Sequence, residues 1–151
     1  MSDGAVTVDV ARRGAARKVP VRGLEATARR ILTLLELTDC ELSVALVGDE
    51  EIRRLNADYR SRDEPTDVLS FPMEHPPPSG PRLIGDVVIS VEKAARQARQ
   101  RRRSLDDELE MLLIHGILHN LGYDHERSAE DEREMRAMEK RLRGQLKAAK
   151  K

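Results

Sequence analysis

Three of the four histidines in this 151-residue chain fall in HGILHNLGYDH, residues 115–125. His115 and His119 are four apart inside an apolar run, so a helix would set both imidazoles on one face, one turn apart. The run stops at Leu121, and Gly122 accepts the left-handed backbone that commonly ends a helix. The chain can then double back and carry His125 to the same point in space. Three neutral imidazole nitrogens converging on one point suit a zinc-like divalent ion. A single histidine on a helix is more often an ordinary core or surface residue. Three in the pattern H-x3-H-x5-H, with glycine between the second and third, make coincidence a poor explanation. His75 stands alone in a proline-rich loop and is given no catalytic part.

The ligand set also suggests a reaction class. Structural zinc usually has four protein ligands, often cysteines, whereas this chain has one cysteine, Cys40, far from the histidines. Three histidines leave a position for water, whose pKa zinc can bring from ~15.7 to about 7. Hydrolysis is therefore the natural class. Asp124 is either a fourth ligand or an outer partner that orients one. The same spacing occurs in metzincin proteases, H-E-x-x-H-x-x-G-x-x-H. Here the place of the catalytic glutamate is taken by Gly116, which has no side chain to act as a base. A shared metal scaffold is expected, and peptidase chemistry is poorly supported.

A second dense stretch is NADYRSRDEPTDVLSFP, residues 56–72. Most of it reads as turn and strand residues, but Arg60 lies at the end of a short helix before a tight loop. It is either a salt-bridge partner or a fork for a phosphate. A phosphodiester under attack gains negative charge that a guanidinium would stabilise. The run KAARQARQRRR, residues 93–103, adds Lys93, Arg96, Arg99, Arg101, Arg102 and Arg103. Such runs are usually solvated faces. Beside a hydrolytic site this one favours a polyanionic substrate. The formal net charge is zero, so any attraction must be local, and the only aromatics, two tyrosines and one phenylalanine, argue against base stacking as the main recognition mode.

The elements that must position these residues follow from periodicity. Val6, Val8 and Val10 alternate as a strand. Apolar steps of three and four predict a helix over 21–37. ELSVALV at 41–47 is a second strand, and Asp49 is placed to cap a short helix carrying Ile52, Leu55 and Tyr59. DVLSF at 67–71 and LIGDVVIS at 83–90 are further strands around a Pro- and Gly-rich loop. Ser90 opens a helix over 91–103 whose thin apolar stripe suggests a surface position. Ser104 opens the next, LDDELEMLLIHGILHNL, apolar nearly all round in its second half and hence buried. A last helix starts near Ser128, with a frayed tail from about 146. The core must be Leu, Val, Ile, Ala and Met. No run is long enough for a signal peptide or membrane span, and one cysteine agrees with a reducing compartment. One soluble, intracellular domain over 1–151 is expected, of mixed α/β pattern with strands early and helices late.

NADYRSRDEPTDVLSFP, IGDVVIS at 84–90 and HGILHNLGYDH, in that order, resemble the YbeY family of bacterial endoribonucleases. They cover about a quarter of the chain directly. The resemblance implies a zincin-like α+β fold with a mixed sheet of about four strands packed with helices, and a metal site on a central buried helix. It implies one divalent metal, usually zinc, on His115, His119 and His125, although iron and nickel also accept three imidazoles. It implies a cytoplasmic endoribonuclease specific for single-stranded RNA. Such an enzyme would act in ribosomal RNA processing, notably at the 3′ end of 16S RNA, and in ribosome quality control. The ribosome or small-subunit proteins would be further partners, with no membrane. Arg60 falls on the arginine that the family treats as functionally important. Asn120 departs from the leucine expected there, which bears on packing and not on ligation. Two other readings remain: a metzincin-like metalloprotease with a base other than residue 116, and a non-catalytic ribosome-assembly module with a structural metal.

Overall fold

The computed structural model describes residues 5–19, 21, 23–60, 66–73, 78–124 and 127–149. His75 and His125 lie outside these residues, as do 61–65 after Arg60. Strands β1 (Val6–Arg12), β2 (Cys40–Val47), β3 (Val68–Phe71) and β4 (Arg82–Ser90) form one sheet in the order β1-β2-β4-β3. The β1–β2 and β2–β4 pairs are parallel and β3–β4 is antiparallel. The α+β class and the mixed four-stranded sheet are as expected. Parallel neighbours cannot be joined by a hairpin, and α1 (Leu24–Leu34) makes the crossover from β1 to β2.

Alternation along the strands separates two faces. Val8, Leu42, Val44, Leu46, Val87 and Ile89 enter the main core with α1 and α4 (Leu105–Asn120). Val47, Leu69 and Val88 form a smaller cluster with Ile52 of α2 (Asp49–Arg60). The largest fully buried side chains are all aliphatic or methionine, among them Ile31, Leu46, Leu113, Ile117 and Met135. Each contributes roughly 1.5–3 kcal/mol on burial. Helix α4 is apolar nearly all round because the sheet covers one side while α1, α3 (Val91–Gln100) and α5 (Ala129–Ala149) pack on others. Its Leu109, Leu112, Leu113, Ile114, Ile117 and Leu118 are all buried.

Several boundaries differ from expectation, each for a physical reason. Helix α1 ends at Leu34 and not near 37, because Glu36 turns left-handed at φ 60°. The Glu36 N–H donates to Thr33 O and the Leu37 N–H to Leu32 O, a Schellman closure without glycine. Leu35 and Leu37 keep a helical spacing although they lie past the end. Helix α3 stops at Gln100 in the same way, through Arg102 at φ 54°. Its thin stripe is the part that packs on α4: Val91, Ala94 and Ala98 are buried, while Glu92, Arg96, Arg99 and Gln100 are exposed, as a surface helix requires. Helix α5 starts with the Ser128 hydroxyl accepting the Asp131 N–H at 3.0 Å. It runs on to Ala149 with Leu146 buried. A short 3-10 helix at Gly14–Lys18 had no signal in the sequence.

Asp49 does not cap α2; it is the helix's first residue. Its N–H donates to Glu92 Oε1 of α3 at 2.8 Å. Its carboxylate accepts from Ser90 Oγ at 2.7 Å and pairs with Arg96 at 2.8 Å. Ser90 Oγ in turn accepts the Lys93 N–H. The starts of α2 and α3 thus cap each other.

Cys40 is buried at the start of β2. Burial pushes its thiol pKa up, Arg82 opposes this and Asp39 adds to it. The fold therefore favours the neutral thiol. That contribution to stability is intact below the unfolded thiol's pKa and is lost as pH rises through the folded value. At neutral pH, labelling of Cys40 by a thiol reagent is expected to be slow and to follow the unfolding rate across a denaturant series. Fast labelling of the native protein would contradict the burial.

Candidate metal centre

His115 and His119 stand one turn apart on the second half of α4, with ring centroids 6.3 Å apart and planes inclined at 42°. Both are half-buried, while Ile114, Ile117 and Leu118 between and beside them are buried. The apolar positions hold the helix in the core and leave the imidazoles at its accessible side. Gly116 faces the sheet. A Cβ there would lie 2.6 Å from Val87 Cγ1 and 3.3 Å from Ser70 Oγ. The position that carries a glutamate in the proteases has no room here for a side chain.

The end of α4 follows the glycine signal. Gly122 is left-handed at φ 104°, the Gly122 N–H donates to His119 O and the Tyr123 N–H donates to Leu118 O at 3.0 Å. Arg127 then ties the returning chain. Its Nη2 donates to Gly122 O at 3.0 Å, and its Nε lies 3.6 Å from Asp124 Oδ2 and 3.4 Å from Asp131 Oδ2. His125 falls between Asp124 and Arg127, outside the described residues. Among the described residues no group of three His, Cys, Asp or Glu side chains converges.

The donor chemistry of the two described histidines fits a zinc-like ion. His115 Nδ1 lies 3.1 Å from Glu139 Oε2 on α5. A carboxylate only accepts, so Nδ1 carries the proton and donates. In a neutral imidazole Nε2 is then the unprotonated nitrogen, the form that ligates metals. Sequence reading missed Glu139. One signal was available: it stands four residues after Met135 and three before Leu142, on a stripe where an apolar residue is expected.

Arg60 ends α2 and is exposed. Its Nη2 donates to the backbone carbonyl of Ser70, on edge strand β3, at 3.0 Å. Ser70 Oγ donates to Gly116 O at 3.2 Å. One residue of the edge strand therefore touches both Arg60 and the turn of α4 that holds His115. Among the described residues Arg60 has no carboxylate partner, and four of its five N–H groups remain for other acceptors. Tyr59 beside it packs edge-on against Phe71 with centroids 5.4 Å apart.

The basic run is partly spoken for. Arg96 pairs with Asp49, and Arg101 and Arg103 lie 2.8 Å and 3.5 Å from the fully buried Glu108. These arginines fasten α3 and the turn after it to their neighbours. Lys93, Arg99 and Arg102 form no ion pair among the described residues. Asn120 has a structural part: its Nδ2 donates to Asp86 O of β4 at 3.1 Å, which ties down the end of α4.

The family model described as Endoribonuclease YbeY matches residues 9–147. An Endoribonuclease YbeY from Aquifex aeolicus is 47% identical over 133 residues, 88% of each chain. Another, from Syntrophotalea carbinolica, is 49% identical over 129 residues, 83% of this chain and 86% of the relative. A third, from Anaeromyxobacter sp. strain Fw109-5, is 54% identical over 112 residues, 74% of this chain, which spans 58% of that relative's length. The solution structure of TM1509 from Thermotoga maritima superposes with a TM-score of 0.60 at 26% identity, covering 95% of this chain and 93% of that one. With the match running from β1 almost to the end of α5, and so through every element that carries Arg60, His115 and His119, the chain belongs to the YbeY endoribonuclease family.

Proposed function

We propose that this protein is a metal-dependent endoribonuclease that cuts single-stranded ribosomal RNA. It would act in the cytoplasm in 3′-end maturation of small-subunit RNA and in ribosome quality control, with ribosomal proteins as its neighbours. The observation that carries the reading is the pair of half-buried imidazoles on α4, one with Nδ1 3.1 Å from Glu139 Oε2, joined through Ser70 to an arginine without a carboxylate partner among the described residues. His115, His119 and His125 would hold the ion. A bound zinc ion supplies Lewis acidity and lowers the pKa of a water to about 7. Arg60 steadies the negative charge that grows on the phosphate, an effect of the order of 10²–10³ in rate for one such donor. The open cations of α3 and of the turn after it, Lys93, Arg99 and Arg102, draw the strand in, and this attraction weakens with salt.

The protease reading loses support at Gly116, where a base can be neither present nor accommodated. No helix among the described residues is long and apolar enough to cross a membrane.

The test is cleavage of a labelled single-stranded RNA by protein of measured metal content, with and without chelator, beside Arg60→Ala. Cleavage that chelator stops, that Arg60→Ala slows about 10²–10³-fold and that a duplex resists is the expected result. Product ends carrying a 2′,3′-cyclic phosphate would identify the ribose hydroxyl as nucleophile. Metal-loaded protein without cleavage, or cleavage indifferent to chelator, would move the assignment to a non-catalytic assembly module.

A further inference from the structure

Helix α5 does more than close the core. It presents a carboxylate to a candidate metal ligand 24 residues away in sequence. Its inward stripe holds Met135, Leu142 and Leu146, all buried, and Glu139 interrupts it. The Glu139 side chain is only 21% exposed and that of His115 31%. Placing a carboxylate there has a desolvation cost that an apolar side chain would avoid. The contact that offsets it is the hydrogen bond from His115 Nδ1. Other acids on α5 pair differently: Asp131 holds Arg127, and Glu132 holds Arg136.

We propose that Glu139 is a positioning residue of the metal centre, whose carboxylate fixes His115 in the tautomer that offers Nε2 to a divalent cation. The inference rests on the metal assignment made above and extends it to a residue outside the histidine motif. The carboxylate acts in three ways at once. It selects Nδ1–H over Nε2–H, it limits rotation of the ring, and its negative charge makes Nε2 a stronger donor. Because it sits on α5, metal affinity depends on the docking of α5 against α4 as well as on the motif itself.

Zinc affinity, read by competition with a chromophoric chelator, tests this in the full chain. Glu139→Met keeps volume and helix preference but removes the acceptor, and Glu139→Gln keeps an acceptor oxygen. The methionine variant is expected to bind zinc 10–100-fold more weakly than wild type, and the glutamine variant less than about tenfold more weakly. In a His115→Ala background Glu139→Met should cause no further loss. The melting temperature of each metal-free protein is measured alongside. A purely structural Glu139 would move that temperature and leave zinc affinity alone, which overturns the proposal. So would a glutamine variant as weak as the methionine one. Wild-type protein that takes up no zinc would refute the metal assignment itself, a result read before any variant is made.

Discussion

Alanine at His119 is expected to cost the protein metal binding and the proposed RNA cleavage while leaving the fold in place. The imidazole is half-buried at the accessible side of α4, and the packing of that turn rests on Ile117 and Leu118, both fully buried. Alanine is the best helix former, so the helix itself loses nothing. What disappears is one of the candidate donors. Loss of an outer partner alone weakens metal binding 10–100-fold, and loss of a direct donor should exceed that. Cleavage under single-turnover conditions should therefore fall by at least about 10²-fold. Zinc per chain, cleavage rate and far-ultraviolet circular dichroism together decide it. An unfolded variant would point to a structural metal, and a folded variant with full cleavage would remove His119 from the centre.

The second large effect concerns Gly116. A glutamate there would complete the protease pattern H-E-x-x-H in the sequence, and it is expected to prevent folding instead. Its Cβ would be 2.6 Å and 3.1 Å from the two γ-carbons of Val87 and 3.3 Å from Ser70 Oγ. Overpacking a core by a small group costs about 1–3 kcal/mol. Pressing a carboxylate into the sheet without a partner adds several more. Against a total stability of about 5–15 kcal/mol for a domain, the sum is decisive. Gly116→Ala should be milder, about 1–3 kcal/mol, visible as a lower urea midpoint. Soluble Gly116→Glu protein with a wild-type midpoint would show that α4 can move away from the sheet, and the case against a base at this position would weaken.

The readability of the chain differs from element to element. Helix α4 was legible at both ends, since Ser104 and Gly122 are strong local signals and each does what its chemistry suggests. The four strands were legible because alternation survives wherever one face of a sheet is buried. The ends of α1 and α3 were not, since Glu36 and Arg102 occupy left-handed positions that glycine usually marks. At the candidate site, the histidine motif and Arg60 stood out by residue type and spacing. Glu139 and Ser70 did not, because their partners are 24 and 46 residues away and only the tertiary fold brings them together. The RNA and ribosome assignments came from the family resemblance and not from composition.

The exchange of caps between α2 and α3 has a further meaning for how the protein comes apart. Neither helix owns the groups that satisfy its first turn: Asp49 relies on Glu92, while Ser90 and Arg96 rely on Asp49. Forming the first turn is the unfavourable step in making any helix, and here the two first turns are formed jointly. The pair is therefore expected to open as one unit, which hydrogen exchange of the two first turns would read as a shared opening rate. Fraying at the start of α3 withdraws support from α2, and with it from Arg60 at the other end of that helix. Arg60 and the basic face of α3 would thus be gained and lost together.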